Sequence, residues 1–231
     1  MLAPFKPFDH QKEAWNNMDK EFLDGNRERG MVVVPTGGGK TTIAVYWLIK
    51  NFINSGYRVL WLAHRIELLD QAFATFEKFA ELANDESLSG RMIKISNNYG
   101  KWSQVDRSDL VVFSTDRSAA LNQVYLQLMV QQADKGVFVV IDEAHHSVAR
   151  GYREIIETLF KCKKKSRKDI KLLGLTATPT RMNPDETKIL WRLFDDNYII
   201  PKLKKRRKSL PFNSIVHSVS GLTPRYWILS T

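Results

Sequence analysis

Short β-branched and aliphatic runs alternate along this chain with segments whose apolar residues recur at three- and four-residue steps. That change of period limits the architecture more than any other feature. Met31, Val32, Val33 and Val34 form an apolar run that stops at Pro35, and Ile43, Ala44, Trp47, Leu48 and Phe52 then mark a helix. Residues 58–63 read as the next strand, followed by the helical stripe Ile66, Leu69, Phe73, Phe76 and Phe79. Further strands are expected at 91–95, 110–113, 137–141 and 171–175. Helices are expected from about residue 117 to 131 and along Tyr152, Ile155, Ile156, Leu159 and Phe160. Ahead of the first strand, Ala14, Trp15, Met18 and Phe22 predict a helix with Asp9 as N-cap. One more helix fits within 184–197. Strands that are apolar throughout, each followed by an amphipathic helix, predict an α/β fold with a mostly parallel sheet covered on both faces.

Bulk properties narrow the class. A chain of 231 residues has room for one substantial α/β domain and a short extension, because a domain takes ~100–200 residues. Hydrophobic residues at 43% and charged residues at 26% exclude a chain that is disordered throughout. No apolar run approaches the ~18 residues of a membrane span, and residues 1–10 hold no signal-like stretch. The expectation is an intracellular, cytoplasmic protein without membrane contact, with nucleoid association left open. The single cysteine, Cys162, allows neither an internal disulfide nor a cysteine metal site. The net charge of +10 sits wholly in residues 161–171 and 202–208, and the remainder is slightly acidic. Overall basicity is therefore weak support for a nucleic-acid partner, and the case has to rest on motifs.

Pro35-Thr36-Gly37-Gly38-Gly39-Lys40-Thr41 falls between an expected strand and an expected helix, the context that a phosphate-binding loop requires. Three glycines let the backbone turn its N–H groups toward phosphate oxygens, and the helix adds its positive N-terminal end. Lys40 is expected to reach the β- and γ-phosphates of ATP, and Thr41 to ligate Mg²⁺ through its hydroxyl. Thr36, Gly37, Gly38 and Gly39 complete the cradle. Val34 stands where the general pattern has its first glycine, so the strict form is broken. A glycine-rich turn with a solvated lysine is the alternative, disfavoured by the flanking strand and helix. With this loop the expected fold becomes a three-layer P-loop NTPase sandwich.

Asp142-Glu143-Ala144-His145 follows the strand expected at 137–141. In a P-loop ATPase a carboxylate at a strand end holds Mg²⁺, directly or through water, and a second can orient and deprotonate the attacking water. Asp142 is the expected metal-side residue and Glu143 the expected general base. Taken alone, two acids after a strand mark a helix N-terminus that favours negative charge. The phosphate loop shifts that balance, because it needs a carboxylate partner at a strand end.

Six elements in one order carry a resemblance. They are residues 9–14 (Asp-His-Gln-Lys-Glu-Ala), the phosphate loop, residues 61–71 with Ala63-His64-Arg65 at their centre, Ser114-Thr115, Asp142-Glu143-Ala144-His145, and residues 174–179 (Gly-Leu-Thr-Ala-Thr-Pro). Over roughly residues 5–181 the chain resembles the first RecA-like lobe of superfamily 2, DEAD/DEAH-box-like, helicases. Within that group it is most similar to the motor subunits of type I and type III restriction enzymes. The resemblance implies that Gln11 reads the adenine edge and that Arg65 and Thr115 contact the DNA or RNA backbone. It also implies that His145, Thr176 and Thr178 couple the nucleotide site to lobe movement. ATP and Mg²⁺ are the implied cofactors, and residues 1–200 the implied ATP-binding domain, with 201–231 a basic linker and unassigned tail.

The residues themselves support these roles unequally. Gln11 on a helix is otherwise an ordinary surface residue, and its adenine role rests on the resemblance. Arg65 follows a strand's carboxyl end, on the edge where α/β sheets bind ligands, and a guanidinium suits phosphate. Thr115 reads equally well as an N-cap. His64 and His146 carry no argued role, and Trp15, Trp47 and Trp61 read as packing. The basic loop at 161–168 should fall at the sheet edge opposite the phosphates, as a solvated charge run. No second lobe with transition-state arginines is expected within the chain, so one is expected as a partner in cis or in trans. Three readings compete: the ATP-binding lobe of a helicase-type motor, a non-catalytic module that pairs with another chain, and a P-loop enzyme acting on a small molecule. The last leaves the Asp-Glu-Ala-His and Thr-Ala-Thr elements without a task.

Overall fold

The computed structural model describes residues 5–82, 88, 91–95 and 100–202. Its strands are β1 (Arg29–Val33), β2 (Tyr57–Ala63), β3 (Met92–Ile95), β4 (Val111–Thr115), β5 (Gly136–Asp142), β6 (Asp169–Thr176) and β7 (Tyr198–Ile199). They form one sheet in the order β3-β4-β2-β5-β6-β1-β7. Every strand pairing is parallel. The α-helices are α1 (Asp9–Met18), α2 (Lys40–Asn51), α3 (Ile66–Leu82), α4 (Asp116–Leu121), α5 (Gln123–Gln132), α6 (Arg150–Ser166) and α7 (Pro184–Leu193).

Alternate residues of the strands build two separate cores. Val32, Val59, Trp61, Phe138, Val140 and Leu173 pack with the apolar stripes of α1, α2 and α3. Met31, Leu60, Leu62, Val139, Ile141 and Leu172 pack with those of α4 to α7 on the other face. The result is the expected three-layer α/β sandwich. Trp47 and Trp61 are buried in the first core, and Trp15 lies 4.3 Å from Tyr46 with its indole N–H donating to Ile43 O at 2.9 Å. All three tryptophans pack, as their spacing suggested.

Several boundaries differ from the sequence reading, each for a local reason. Phe8 rather than Asp9 caps α1; the Gln11 side chain reaches back and its Oε1 accepts from Phe8 N at 3.0 Å. The α-helix stops at Met18 and widens into a π-helical turn over Asp19–Asp24, which keeps Phe22 in the core. The helix expected over 117–131 is two helices, because Asn122 leaves helical geometry at φ −122°, ψ 42° and its Nδ2 donates to Ser118 O at 2.8 Å. The segment 161–168 is mostly not a loop: α6 continues through Lys163, Lys164 and Lys165 to Ser166. Lysine is a good helix former, and cations suit a helix C-terminus. The segment does lie at the expected edge, since β6 begins at Asp169. The two-residue strand β7 was not foreseen. Of the linker and tail expected at 201–231, residues 203–231 lie outside the described residues.

Candidate functional site

Five strand ends meet along one edge of this sheet. The phosphate loop follows β1, His64 and Arg65 follow β2, Thr115 ends β4, Asp142 ends β5 and Thr176 ends β6. Ligands bind at the carboxyl edge of open α/β sheets, and here the candidate residues gather there although they lie far apart in the chain.

Val34 extends β1 by one more bond, its N–H donating to Thr176 O at 3.0 Å. The chain then turns at Gly37 (φ 78°) and Gly39 (φ 77°) into the left-handed region, where a side chain is strained. Gly39 leads directly into α2 with Lys40 at its first position. Thr36 and Gly37 are exposed, Gly38, Gly39 and Thr41 half-buried, and Lys40 buried. His10 fixes the loop from outside, its Nε2 lying 2.8 Å from Gly38 O; a carbonyl only accepts, so this nitrogen carries the proton. Gln11 is 4% exposed, far from a surface residue, and a Cβ at Gly39 would stand 2.7 Å from its Nε2.

Behind the loop, Lys40 Nζ lies 3.5 Å from Glu143 Oε1. Glu143 itself adopts φ 50°, ψ 56°, and this left-handed turn starts a short 3-10 helix over Ala144–His146 that folds His145 back across β6. His145 Nδ1 stands 3.4 Å from Glu143 Oε2 and 3.2 Å from Thr176 Oγ1. The Thr176 hydroxyl donates to Thr178 O at 3.1 Å and accepts from Thr178 N at 3.0 Å. Its proton is thus committed, so Nδ1–H of His145 is the donor toward Thr176 Oγ1, with Glu143 Oε2 at contact distance from the same nitrogen. Gly174 makes room for this turn: a Cβ there would meet the Ala144 side chain at 2.8 Å and the Phe194 ring at 2.7 Å.

Asp142 is 3% exposed, and burial pushes its carboxyl up to about 6, outweighing the backbone N–H of Glu143 at 2.9 Å. A carboxylate taken out of water with so little direct compensation suits a divalent cation. The glycine cradle on the other side, with a Gly37 Cβ position that meets nothing within 4 Å, leaves room for phosphate. The residues present therefore fit a nucleotide–Mg²⁺ pair.

Next to this cluster opens a cleft of about 1060 Å³ lined by His64, Arg65, Thr115, Asp116, Arg117 and Glu143 among others. Arg65 is exposed in it. Thr115 caps α4, its Oγ1 accepting from Ser118 N at 3.2 Å, so the capping reading of this residue holds whatever else it touches. The structure brings together Lys40, Glu143, His145, Thr176 and Thr178 in one run of contacts, with Asp142 beside them and Gln11 across the loop. It sets Arg65 and Thr115 apart, in the cleft that shares Glu143. Sequence reasoning missed His10, Arg117, His64 and His146. Nothing in the local sequence links His10 to a glycine 28 residues later; a place within or directly beside a quoted element is the one signal that could have marked these four.

One edge of a parallel sheet thus carries a glycine-rich loop with a buried lysine, a pair of adjacent carboxylates and a histidine latched by a threonine. Residues 4–181 match the family described as the type III restriction enzyme res subunit, and the chain belongs to that family. It is 31% identical over 178 residues to a Saccharomyces cerevisiae protein provisionally named as the ATP-dependent helicase IRC3, a match covering 74% of this chain and 23% of that protein. The fold is similar to the UvsW helicase from bacteriophage T4, with a TM-score of 0.61 at 16% identity over 85% of this chain and 61% of the other. It is also similar to the Hef helicase domain of Pyrococcus furiosus, with a TM-score of 0.58 at 21% identity over 84% of this chain and 37% of the other. The chain thus spans only a part of the relatives it matches.

Proposed function

We propose that this chain binds ATP–Mg²⁺ as the first lobe of a two-lobe motor, in which hydrolysis drives translocation along DNA or RNA. The observation that carries the proposal is the unbroken run from Lys40 through Glu143 and His145 to Thr176, opening into the cleft of Arg65 and Thr115. Gly37 to Thr41 would hold the phosphates, Thr41 and Asp142 the Mg²⁺, and Gln11 the adenine edge. Bound Mg²⁺ supplies charge neutralisation for the phosphoryl group. Lys40 leaves Glu143 for the β- and γ-phosphates, which frees the Glu143 carboxylate to orient water and take its proton. His145, held by Thr176, limits where that carboxylate can swing. Arg65 and Thr115 face the nucleic-acid backbone. The lobe would span residues 1–200, and the sequence after it carries a run of basic residues at 202–208. No described helix is long and apolar enough to cross a membrane.

A second lobe, in cis or in trans, would supply the arginine that stabilises the transferring phosphoryl group, a contribution of about 10³–10⁵ in rate. The expected result for the chain alone is ATP binding with turnover close to the blank. The test is nucleotide binding and steady-state hydrolysis, with and without single-stranded DNA and RNA, for the wild type, Lys40→Ala and Glu143→Gln. Lys40→Ala should lower nucleotide affinity at least about tenfold, the loss of a charge-assisted phosphate contact. Glu143→Gln should bind normally and abolish any residual turnover. Binding that survives Lys40→Ala undiminished would remove the phosphate-loop reading.

A further inference from the structure

We propose that His64 and His146 are positioning residues, a pair of tilted rings in contact through which a strand held in the Arg65 cleft sets the position of Glu143. The proposal rests on the function just given and adds two residues to it. His64 stands at the end of β2, one residue before Arg65. His146 ends the 3-10 turn that follows Asp142 and Glu143. Their ring centroids are 4.1 Å apart at 43°, and His146 lies 4.3 Å from His145 at 40°. His145 in turn stands 3.4 Å from Glu143 Oε2. Three imidazoles thus join the residue beside Arg65 to the candidate base, across two strands that are neighbours in the sheet.

The join is mechanical because neither end is free. His64 and Glu143 line the same cleft, so a phosphate drawn onto Arg65 acts on the adjacent His64 backbone and ring. The Nδ1 of His64 is buried and makes no hydrogen bond within the described residues, so at that atom the ring is held by packing alone. A displaced His64 ring loses its ring contact with His146, and His146 is continuous with the turn that positions His145 and Glu143. A coupling element requires two arrangements, and the proposed second one has this ring contact broken. Coupling of this kind is reciprocal: nucleotide and strand each raise affinity for the other by one factor.

The experiment uses the full chain, a fluorescent ATP analogue with Mg²⁺, and labelled single-stranded oligothymidine, each titrated with and without saturating amounts of the other. In the wild type each probe should tighten the other by at least about fivefold, the lower end of usual coupling. In His146→Ala each probe alone should bind within about twofold of the wild type, while the coupling factor falls to near one. His146→Phe, which keeps a flat ring, should restore most of the factor. The mirror pair His64→Ala and His64→Phe reads the same bridge from the other side, so a misfolded His146→Ala still leaves a decision. Wild-type coupling in both alanine variants, or phenylalanine variants that behave like alanine, overturns the bridge alone. A wild-type chain that binds neither probe, with Lys40→Ala indistinguishable from it, overturns the function and the bridge with it.

Discussion

Val34 stands where phosphate loops usually begin with glycine, and the sheet accounts for it. The residue is fully buried in the core under α2 and continues β1 by bonding to Thr176, so an apolar β-branched side chain is favoured there. The crowding is displaced to Gly38, where a Cβ would stand 2.4 Å from Val34 Cγ1. Gly39 is the residue at which the loop backbone and the Gln11 side chain meet. Gly39→Ala meets a φ of 77° and a Cβ position 2.7 Å from Gln11 Nε2. It should cost about 1–2 kcal/mol in urea unfolding from the left-handed backbone alone. Nucleotide affinity should fall further than stability does, because Gln11 must move; equal affinity in Gly39→Ala and wild type would separate Gln11 from the nucleotide. The type and place of Gly37, Lys40, Asp142 and Glu143 were legible in sequence, because a phosphate loop and a strand-end acid pair each occupy consecutive residues. The burial of Gln11 and the ring contact between His64 and His146 were not, since both depend on residues brought together by strand order.

Helix ends carried most of the error at the scale of elements. The sequence gives the apolar stripe of a helix clearly, but its end is decided by single side chains. Asn122 closes α4 by bonding Ser118 O, whereas the lysines after Cys162 extend α6 when their charge had suggested a loop. Strands were legible where they are buried on both faces, and β7, two residues long and paired only at its edge, left no pattern to read. Thr115 tests whether a cap and a ligand contact coincide. Thr115→Ala should cost about 1 kcal/mol in chemical denaturation, the usual worth of an N-cap. Thr115→Asn keeps a capping oxygen and should recover that stability. If Thr115 also meets the nucleic-acid backbone, oligonucleotide affinity will fall in the alanine variant beyond what its lost stability explains; equal affinity in all three leaves it a cap only.

At the scale of the whole molecule, the edge opposite the site is clamped by ionic contacts. Asp169 at the start of β6 accepts from Tyr57 OH at 2.7 Å and from Lys163 at 2.8 Å, and Lys163 also meets Glu28 at 2.7 Å. Burial alone would raise the Asp169 carboxyl, but the hydrogen bonds from Lys163 and Tyr57 and the charge of Lys171 outweigh it and hold it below the usual carboxylate range. A depressed folded-state value means stability that is fully present above the unfolded value, about 3.9, and lost as pH falls through the folded one. Asp169→Asn should therefore lower stability at neutral pH by roughly 2 kcal/mol, the worth of a charge-assisted hydrogen bond. The difference from wild type should shrink on acidification below about pH 4, in thermal melts over that range. A difference that stays constant with pH would mean that the carboxylate's charge is not what holds this edge.

The strand order has a consequence for the timing of synthesis. β1 bonds to β6 on one side and β7 on the other, both encoded after every other strand of the sheet. While the polypeptide leaves the ribosome, the lysine loop hangs from a strand with two open edges. Residues 57–142 can already join β2 to β4 and β5. Thr176, which receives the last bond of β1 and latches His145, emerges after Lys40, Glu143 and His145. A nascent chain halted before β6 carries Lys40 and its glycines on a strand that has not yet joined the sheet, so this edge takes shape only once β6 and β7 have paired with β1.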